Sequence, residues 1–434
     1  MKICSLEKSS LFAFSVLAAV AVLVILLLAF IGSAHGQVPQ FSNIIIVVQE
    51  NRTPDNFFSA CSIPGADLVQ PSGGSMALSS SVDPSHSHPA YLTDAAGKWT
   101  TAQKKYVQFS DIQSDCALAA QYGFANRMFQ TNQGPSFPAH QFLFAGTSAP
   151  GAPGTTYAPY FVSENGGIGC TAPANLIANQ AVVISPAGKE STLVPACFEH
   201  ATLSDLLDVA GLSWKYYAAV TAPGGKDGLW NTPLTIAHIC GAVDGQCEGE
   251  DWLDSEVLNP PQILSDIANG TLANVSWVTP AASYSDHPGF GTGGPAWIAS
   301  IVNAVGQSAY WQTTAILITW DDWGGWYDHV APLANATGWC TVYCYGFRVP
   351  LLVVSAYTPS MTDTQVHDFG SLLRFVETNF GLSLIGPGTY ADAYADDLSN
   401  FFPLTSPQPF VTVPADHDAA YFLSLEDSGG PDDD

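Results

Sequence analysis

The sequence places oxygen-bearing side chains directly after two apolar runs. Glu50 and Asn51 follow the run IIIVVQ, and Asp321 and Asp322 follow the run AILITW. Carboxylate and amide oxygens are the ligands that hard divalent cations prefer, and clustered carboxylates repel one another unless a cation lies between them. Either pair alone is equally consistent with helix capping or solvent exposure. The two pairs together predict a divalent metal site.

A serine in the segment TNQGPSFPAHQ is a candidate nucleophile. Ser136 stands between Pro135 and Phe137, and a rigid turn suits a hydroxyl that attacks a substrate. Turn chemistry also favours serine after Gly-Pro, and taken alone a serine in Gly-Pro-Ser is far more often a structural turn residue than a nucleophile. It is not a G-x-S-x-G elbow, which disfavours an esterase or lipase.

Several histidines stand in polar, glycine-containing segments, where an imidazole either ligates a metal or donates a proton. They are His86 and His88 in DPSHSHP, His287 in SDHPGFGTGG, His329 in WYDHV and His367 in QVHDFG. A protonated imidazole also stabilises a phosphoryl oxygen. The alternative for each histidine is an ordinary hydrogen bond within a loop.

Other residues near these motifs are expected to be structural. His140 and His238 lie in more apolar surroundings, and the tryptophans of TWDDWGGWY are expected to be core. Gly324 and Gly325 allow a sharp turn beneath the acids. His417, in the acidic C-terminal stretch, is expected to play no part in a site.

The elements that position these residues alternate between strand and helix. Buried parallel strands are predicted at 44–48, 315–320 and 349–357, and helices at 201–212, 294–308 and 370–382. This alternation predicts an α/β fold with a mostly parallel sheet covered on both faces. Ligands in such folds bind beyond the carboxyl ends of the strands, where the acids lie.

Composition narrows the class of protein. The 434 residues are 47% hydrophobic and 12% charged, and 12 basic against 38 acidic residues give a formal net charge of −26. That charge repels a phosphate backbone, so nucleic acid binding is excluded. A bound divalent cation still permits small anionic substrates.

The N-terminus resembles an export segment. Two lysines precede an apolar run at 11–32 of 22 residues, followed by small residues. The run is longer than the roughly 7–15 apolar residues of a signal peptide and close to the roughly 20 of a membrane span, so a cleaved signal and an uncleaved anchor stay open. We expect a signal peptide or membrane anchor at 1–36, a catalytic domain at 37–405 and a C-terminal acidic tail at 406–434, whose end, EDSGGPDDD, is solvated. The protein is accordingly expected to be secreted or periplasmic, or membrane-anchored if the segment is retained.

Eight cysteines follow the export segment, an even number that predicts disulfides in an exported chain. Cys240 with Cys247, and Cys340 with Cys344, are close enough to pair locally. The remaining four have more than one way to pair; they are Cys61, Cys116, Cys170 and Cys197.

Seven motifs together resemble the bacterial phosphoesterase family that contains phosphatidylcholine-type phospholipases C and acid phosphatases, within the alkaline-phosphatase-like superfamily. The motifs, in the order of that family, are QENRTPDNFF, DPSHSHP, GPSFPAHQ, SDHPGFGTGGP, TWDDWGGWYDHV, YGFRVPLLVVSAYTP and SLLRFVETNFGL. The resemblance spans roughly residues 40 to 400 and implies a three-layer α/β/α sandwich. One departure is HDFGS, where Phe369 replaces a histidine, so no role for His367 is implied.

The resemblance also implies a site, residue by residue. The implied catalytic residues are Ser136, His86, His287, Asn51 and His329, and the implied ligands of one divalent metal of unknown identity are Glu50, Asn51, Ser136, Asp321 and Asp322. The implied reaction is hydrolysis of a phosphate ester through a phosphoserine.

Three functions remain open from the sequence. An acid phosphatase is slightly favoured because the nucleophile is a serine and the composition is acidic. A phospholipase C cleaving phosphatidylcholine-type lipids is the alternative, with membrane contact through the N-terminal segment. A non-catalytic envelope binding protein on the same scaffold is the candidate from another class.

Overall fold

The computed structural model of the protein describes residues 39–164, 167–173, 175–219, 227–333 and 342–425. Among these residues, no helix is at once long enough and apolar enough to cross a membrane. The expected export segment at 1–36 lies outside them.

Short strands and helices alternate along the chain. The described strands are β1 Asn43–Gln49, β2 Ser75–Met76, β3 Tyr106–Val107, β4 Gly123–Ala125, β5 Met128–Phe129, β6 Phe161–Val162, β7 Gln180–Ile184, β8 Glu190–Pro195, β9 Trp214–Tyr217, β10 Ala242–Val243, β11 Gln246–Cys247, β12 Glu256–Val257, β13 Val275–Val278, β14 Thr314–Trp320, β15 Leu351–Ser355, β16 Met361–Asp363 and β17 His367–Asp368. The described α-helices are α1 Pro54–Phe58, α2 His88–Ala95, α3 Gln113–Gln121, α4 Ser136–Ala145, α5 Leu203–Ala210, α6 Ala237–Cys240, α7 Glu250–Ser255, α8 Gln262–Asn269, α9 Gly294–Gly306, α10 Phe369–Phe380 and α11 Ala419–Leu423.

Eight of the strands form a mostly parallel central sheet in the order β12-β9-β13-β1-β14-β15-β4-β16. Helices cover both faces: α3, α8 and α11 pack with α9, whereas α4 packs with α5 and α10. The predicted α/β fold with its three layers is confirmed. The three helices predicted at 201–212, 294–308 and 370–382 are α5, α9 and α10.

The two central strands carry the predicted ligands. Every residue of β1 and β14 is buried, as their β-branched and apolar composition requires. The strands pair in parallel, with Gln49 opposite Trp320 at their carboxyl ends. Glu50 and Asp321 therefore leave the sheet side by side.

The direction of β15 differs from the prediction. β15 runs antiparallel to both of its neighbours, β14 and β4. A parallel return needs a crossover to the opposite end of the sheet, usually through a helix. The described part of 321–350 contains no helix, so the chain re-enters the sheet at the edge where it left.

Disulfides close three of the loops. The pairs are Cys61 with Cys116, Cys170 with Cys197, and Cys240 with Cys247. The local pairing of Cys240 with Cys247 is confirmed, and the structure decides the pairing of the other four. The pairing expected for Cys344 involves Cys340, which lies outside the described residues.

The described part of the expected acidic tail, 406–425, packs on the domain. Phe422 is fully buried, and its ring lies 5.1 Å from Trp297 and 5.6 Å from Tyr284. Phe422 therefore holds this part of the chain against the helical layer, whereas the stretch expected to be solvated, EDSGGPDDD, begins only at Glu426. Residues 426–434 lie outside the described residues.

Candidate active site

Backbone hydrogen bonds hold the two ligand-bearing loops against each other. The backbone N–H of Asp321 donates to the carbonyl of Gln49 at 2.9 Å, which continues the pairing of β1 with β14. The N–H of Asn51 donates to Oδ1 of Asp321, also at 2.9 Å. The parallel register thus brings both predicted pairs to one edge of the sheet.

At this edge of the sheet, the turn that contains Asn51 closely approaches the turn that contains Gly324 and Gly325. Asn51 adopts a left-handed backbone with φ of 62°, a conformation that asparagine tolerates better than most residues. Gly324 and Gly325 are also left-handed, as predicted from their types. A Cβ on Gly324 would lie 2.3 Å from the carbonyl oxygen of Asn51, so only glycine fits there.

Ser136 is brought to the same place by the first turn of α4. Its hydroxyl donates to Oδ2 of Asp322 at 3.3 Å and lies 3.4 Å from Oδ1 of Asn51. Because Ser136 is the first residue of the ten-residue helix, it lies at the positive end of the helix dipole, which favours an anion. A phosphoryl group beside this hydroxyl would meet that favourable field.

His140, which the sequence suggested to be structural, joins the site. Its Nε2 lies 3.2 Å from Oε1 of Glu50 and 3.9 Å from Oδ2 of Asp321. The missed signal was spacing, because His140 follows Ser136 by four residues and so shares its face of a helix. The segment looked like a rigid turn, and its helix was not foreseen.

The donor set suits a divalent cation. Ligand atoms of Glu50, His140 and Asp321 all lie within 4.8 Å of one another, and all three residues are buried. Oδ2 of Asp321 is buried without a hydrogen-bond partner among the described residues. Buried carboxylates at this separation strongly favour a neutralising charge between them. The residues therefore fit a metal ion, with Asp322 close by.

Two of the predicted histidines line the same site. Nε2 of His86 lies 3.3 Å from Nδ2 of Asn51, and the rings of His86 and His287 have centroids 6.4 Å apart. Both residues are nearly or fully buried. Seven of the predicted site residues are thus gathered in one buried place: Glu50, Asn51, His86, Ser136, His287, Asp321 and Asp322.

His287 is held through its neighbour Asp286, another contact that the sequence did not reveal. The side chain of Gln49 accepts from the N–H of Asp286, and Arg52 donates twice to its carbonyl. The indole of Trp320 donates to its Oδ2 at 2.9 Å. Burial raises the pKa of Asp286 to about 7, against the opposing charge of Arg52. Residues that flank the ligands therefore also position His287.

The structure does not bring His329 to this group. Its Nδ1 lies 2.8 Å from Oδ2 of Asp55, and its Nε2 lies 3.2 Å from Oδ1 of Asp67. Both ring nitrogens of His329 are engaged by these carboxylates, and its expected place among the catalytic residues stays a prediction. His88 and His367 likewise pair with carboxylates, those of Glu190 and Asp396.

The comparisons with known proteins agree with this geometry. The chain matches the model of the phosphoesterase family over residues 41–383. Phospholipase C B of Mycobacterium tuberculosis strain H37Rv is 26% identical over 446 residues, covering 87% of this chain and 80% of its own length. The non-hemolytic phospholipase C of Pseudomonas aeruginosa strain PAO1 is 24% identical over 448 residues, covering 88% of this chain and 60% of its own length.

Among solved structures, a Vibrio parahaemolyticus protein in the alkaline phosphatase superfamily covers 83% of this chain and 70% of its own, at 9% identity and a TM-score of 0.39. A likeness at that level does not bear on function. The family match spans most of the chain and includes every residue gathered at the site. The chain belongs to the phosphoesterase family and is a hydrolase that acts on phosphoric ester bonds.

Proposed function

We propose that the protein is an exported, metal-dependent phosphoesterase in which Ser136 attacks phosphorus and forms a phosphoserine. The observation that carries this proposal is the position of the Ser136 hydroxyl. It lies 3.3 Å from Asp322 and beside the buried group of Glu50, His140 and Asp321. A nucleophile next to a buried set of oxygen and nitrogen ligands is the arrangement that phosphoryl transfer requires.

The residues that would hold a metal ion are Glu50, Asp321 and Asp322, with Asn51, Ser136 and His140 beside them. A bound divalent ion supplies a positive charge that neutralises a phosphoryl oxygen and lowers the pKa of a nearby hydroxyl. Asp322 accepts the hydrogen bond of Ser136 and so orients the nucleophile. The N-terminus of α4 stabilises the same anionic group.

The reaction is then a double displacement. Asp322 takes the hydroxyl proton of Ser136 as the bond from Oγ to phosphorus forms and the bond to the leaving alkoxide breaks, and the alkoxide takes a proton from a protonated pocket histidine, His86 or His287. The amide of Asn51, 3.3 Å from His86, faces the equatorial oxygens. Water then hydrolyses the phosphoserine and restores the serine hydroxyl.

The substrate class has two candidates. A phosphate monoester, as for an acid phosphatase, is supported by the serine nucleophile and by the net charge of −26, which suits acidic surroundings. Phosphatidylcholine is supported by the two relatives described above, both of which are phospholipases C. Phosphate release from a chromogenic monoester, measured beside diacylglycerol release from phosphatidylcholine vesicles, decides between them.

The disulfides support a proposal for the compartment in which the protein is found. Three described disulfides favour an oxidising environment, which agrees with an export segment at 1–36. We therefore propose a secreted or periplasmic protein, anchored to the membrane if that segment is retained.

Ser136→Ala tests the mechanism. We expect hydrolysis to fall by about 10³-fold or more, because no other group replaces the nucleophile, while metal content measured by elemental analysis stays at the wild-type level. Unchanged turnover would remove Ser136 from the mechanism. If the wild-type protein retains metal but hydrolyses no mono- or diester, the non-catalytic binder is the better description.

A further inference from the structure

The two ligand-bearing loops are joined a second time, beyond the metal ligands. The hydroxyl of Thr53 donates to the carbonyl of Tyr327 at 2.9 Å. Oδ2 of Asp55 accepts from both the backbone N–H and the ring Nδ1 of His329, each at 2.8 Å. The segments that follow Glu50 and Asp321 therefore meet at the sheet and again several residues later.

A buried arginine fixes this second junction to the rest of the fold. Arg348 binds both carboxylate oxygens of Asp328, through Nε at 2.9 Å and through one terminal nitrogen at 3.0 Å. Its other terminal nitrogen donates to the carbonyls of Asp67 and Asn126. Both side chains of the Asp328–Arg348 pair are fully buried. This bidentate contact fixes the relative orientation of the two side chains as well as the distance between them.

This junction is not a second metal site. Asp55, Asp328 and His329 approach one another with the spacing of metal ligands. The guanidinium of Arg348 already supplies the cation, since it binds Asp328 and lies 3.5 Å from Oδ1 of Asp55. A divalent ion added there would have to share buried carboxylates with a buried arginine, at a large electrostatic cost.

The loop between the ligands and the junction needs such a constraint. Gly324 and Gly325 follow Asp322 after one residue, Trp323, and both adopt left-handed backbone. Glycine loses more conformational freedom on folding than any other residue, so two in succession give this loop many alternative paths. A site that works within about 0.5 Å requires a fixed end on each side of such a loop.

We infer that His329 and Arg348 are positioning residues, which act through Asp55 and Asp328 to hold Asp321 and Asp322 against Glu50. This inference rests on the proposed function, because it assumes that those carboxylates bind a metal ion. The inference also assigns a role to each part of the DDWGGWYDH segment. Its first two aspartates would bind the ion, its two glycines form the turn, and Asp328 and His329 fix the end of that turn.

The test is metal affinity in variants of His329. The full-length protein is stripped with a chelator, and Mg²⁺, Ca²⁺, Mn²⁺ and Zn²⁺ are each titrated by calorimetry. We expect His329→Ala to weaken binding by about 10- to 100-fold, the usual effect of removing a partner behind the ligands. His329→Asn keeps a donor close to the position of Nδ1, so we expect it to restore affinity to within about threefold of wild type.

His238→Ala is the matched control. His238 also bridges two carboxylates, with Nδ1 2.9 Å from Glu199 and Nε2 3.1 Å from Asp205. It makes these contacts away from the site, so its removal should cost similar stability and leave metal affinity unchanged. If His329→Ala does not fold, Thr53→Val removes the neighbouring hydrogen bond with almost no change of shape.

The outcomes separate the two proposals. Wild-type protein that binds none of the four ions overturns the proposed metal site, and the positioning role with it. Wild-type protein that binds an ion, with His329→Ala or Thr53→Val binding it equally well, overturns the positioning role alone. Equal losses of metal affinity in His329→Ala and His238→Ala would show a general effect of lowered stability. That result would also overturn the positioning role.

Discussion

Nε2 of His140 lies 3.2 Å from Oε1 of Glu50, although 90 residues separate them along the chain. The contact links the helix that begins with Ser136 to the end of β1. The proposed nucleophile and the candidate metal ligands are therefore held by one helix and by the ends of two central strands. Sites built on such elements keep their geometry better than sites built on loops alone.

Replacing His140 should weaken metal binding more than it weakens the fold. We expect His140→Ala to lower metal affinity about 10- to 100-fold, because Glu50 loses its buried partner. His200→Ala is the control, since His200 is equally buried and burial lowers its pKa to about 4, which keeps it neutral. Calorimetric titration of both variants checks the prediction. If His140→Ala binds the ion as tightly as His200→Ala does, then His140 is a structural residue.

Gly324 should tolerate no side chain. Gly324→Ala places a Cβ 2.3 Å from the carbonyl of Asn51 in addition to the strain of a left-handed alanine. Gly211 has a similar φ of 67° but open space around its Cβ position, so Gly211→Ala isolates the strain, about 1–2 kcal/mol. We expect a larger loss of unfolding free energy for Gly324→Ala, together with loss of turnover. Denaturant unfolding and activity assays measure the two effects, and equal losses would contradict the close approach.

Stability should fall as the pH rises from about 5 to about 9. Burial raises the pKa of Asp368 to about 6 and that of Glu377 to about 8. Burial alone would lower the pKa of His367, but hydrogen bonds to Asp363 and Asp396 outweigh it and raise the pKa to about 9. In each case the folded state holds a proton that the unfolded state releases, so raising the pH favours unfolding.

At low pH, the free energy of unfolding should instead fall as the pH falls. Hydrogen bonds from Lys215 and Tyr217 overcome burial and lower the pKa of Asp266, so this contribution is lost as the pH falls below about 4. Urea unfolding across the pH range should therefore show a maximum near pH 5. Glu377→Gln should reduce the slope between pH 5 and 8 by up to about 1.4 kcal/mol per pH unit. A flat profile for wild type would contradict the raised pKa values.

The C-terminal helix should contribute to the core. Phe422→Ala removes a fully buried ring that packs on Trp297, which we expect to cost about 3–5 kcal/mol. Leu423 is 47% exposed, so Leu423→Ala should cost less than about 1 kcal/mol. Chemical denaturation compares the two variants. Equal small effects would contradict a contribution of Phe422 to the core.

The sequence by itself determined the central strands and the pairs that follow them. A run of β-branched residues ending in polar side chains is a local signal, and parallel strands always end at the same edge of a sheet. Glu50, Asn51, Asp321 and Asp322 could therefore be assigned to one place before any contact was known. The motif order added Ser136, His86 and His287 in the same way.

The tertiary structure alone decided which histidine reaches the metal ligands. His140 and His329 both stand near acidic or nucleophilic motifs, and local pattern favoured His329. The contact of His140 spans 90 residues and that of His329 with Asp55 spans 274. The direction of β15 and the burial of Phe422 also depend on packing between distant segments. Such contacts are set by the free energy of the whole fold, and no local spacing encodes them.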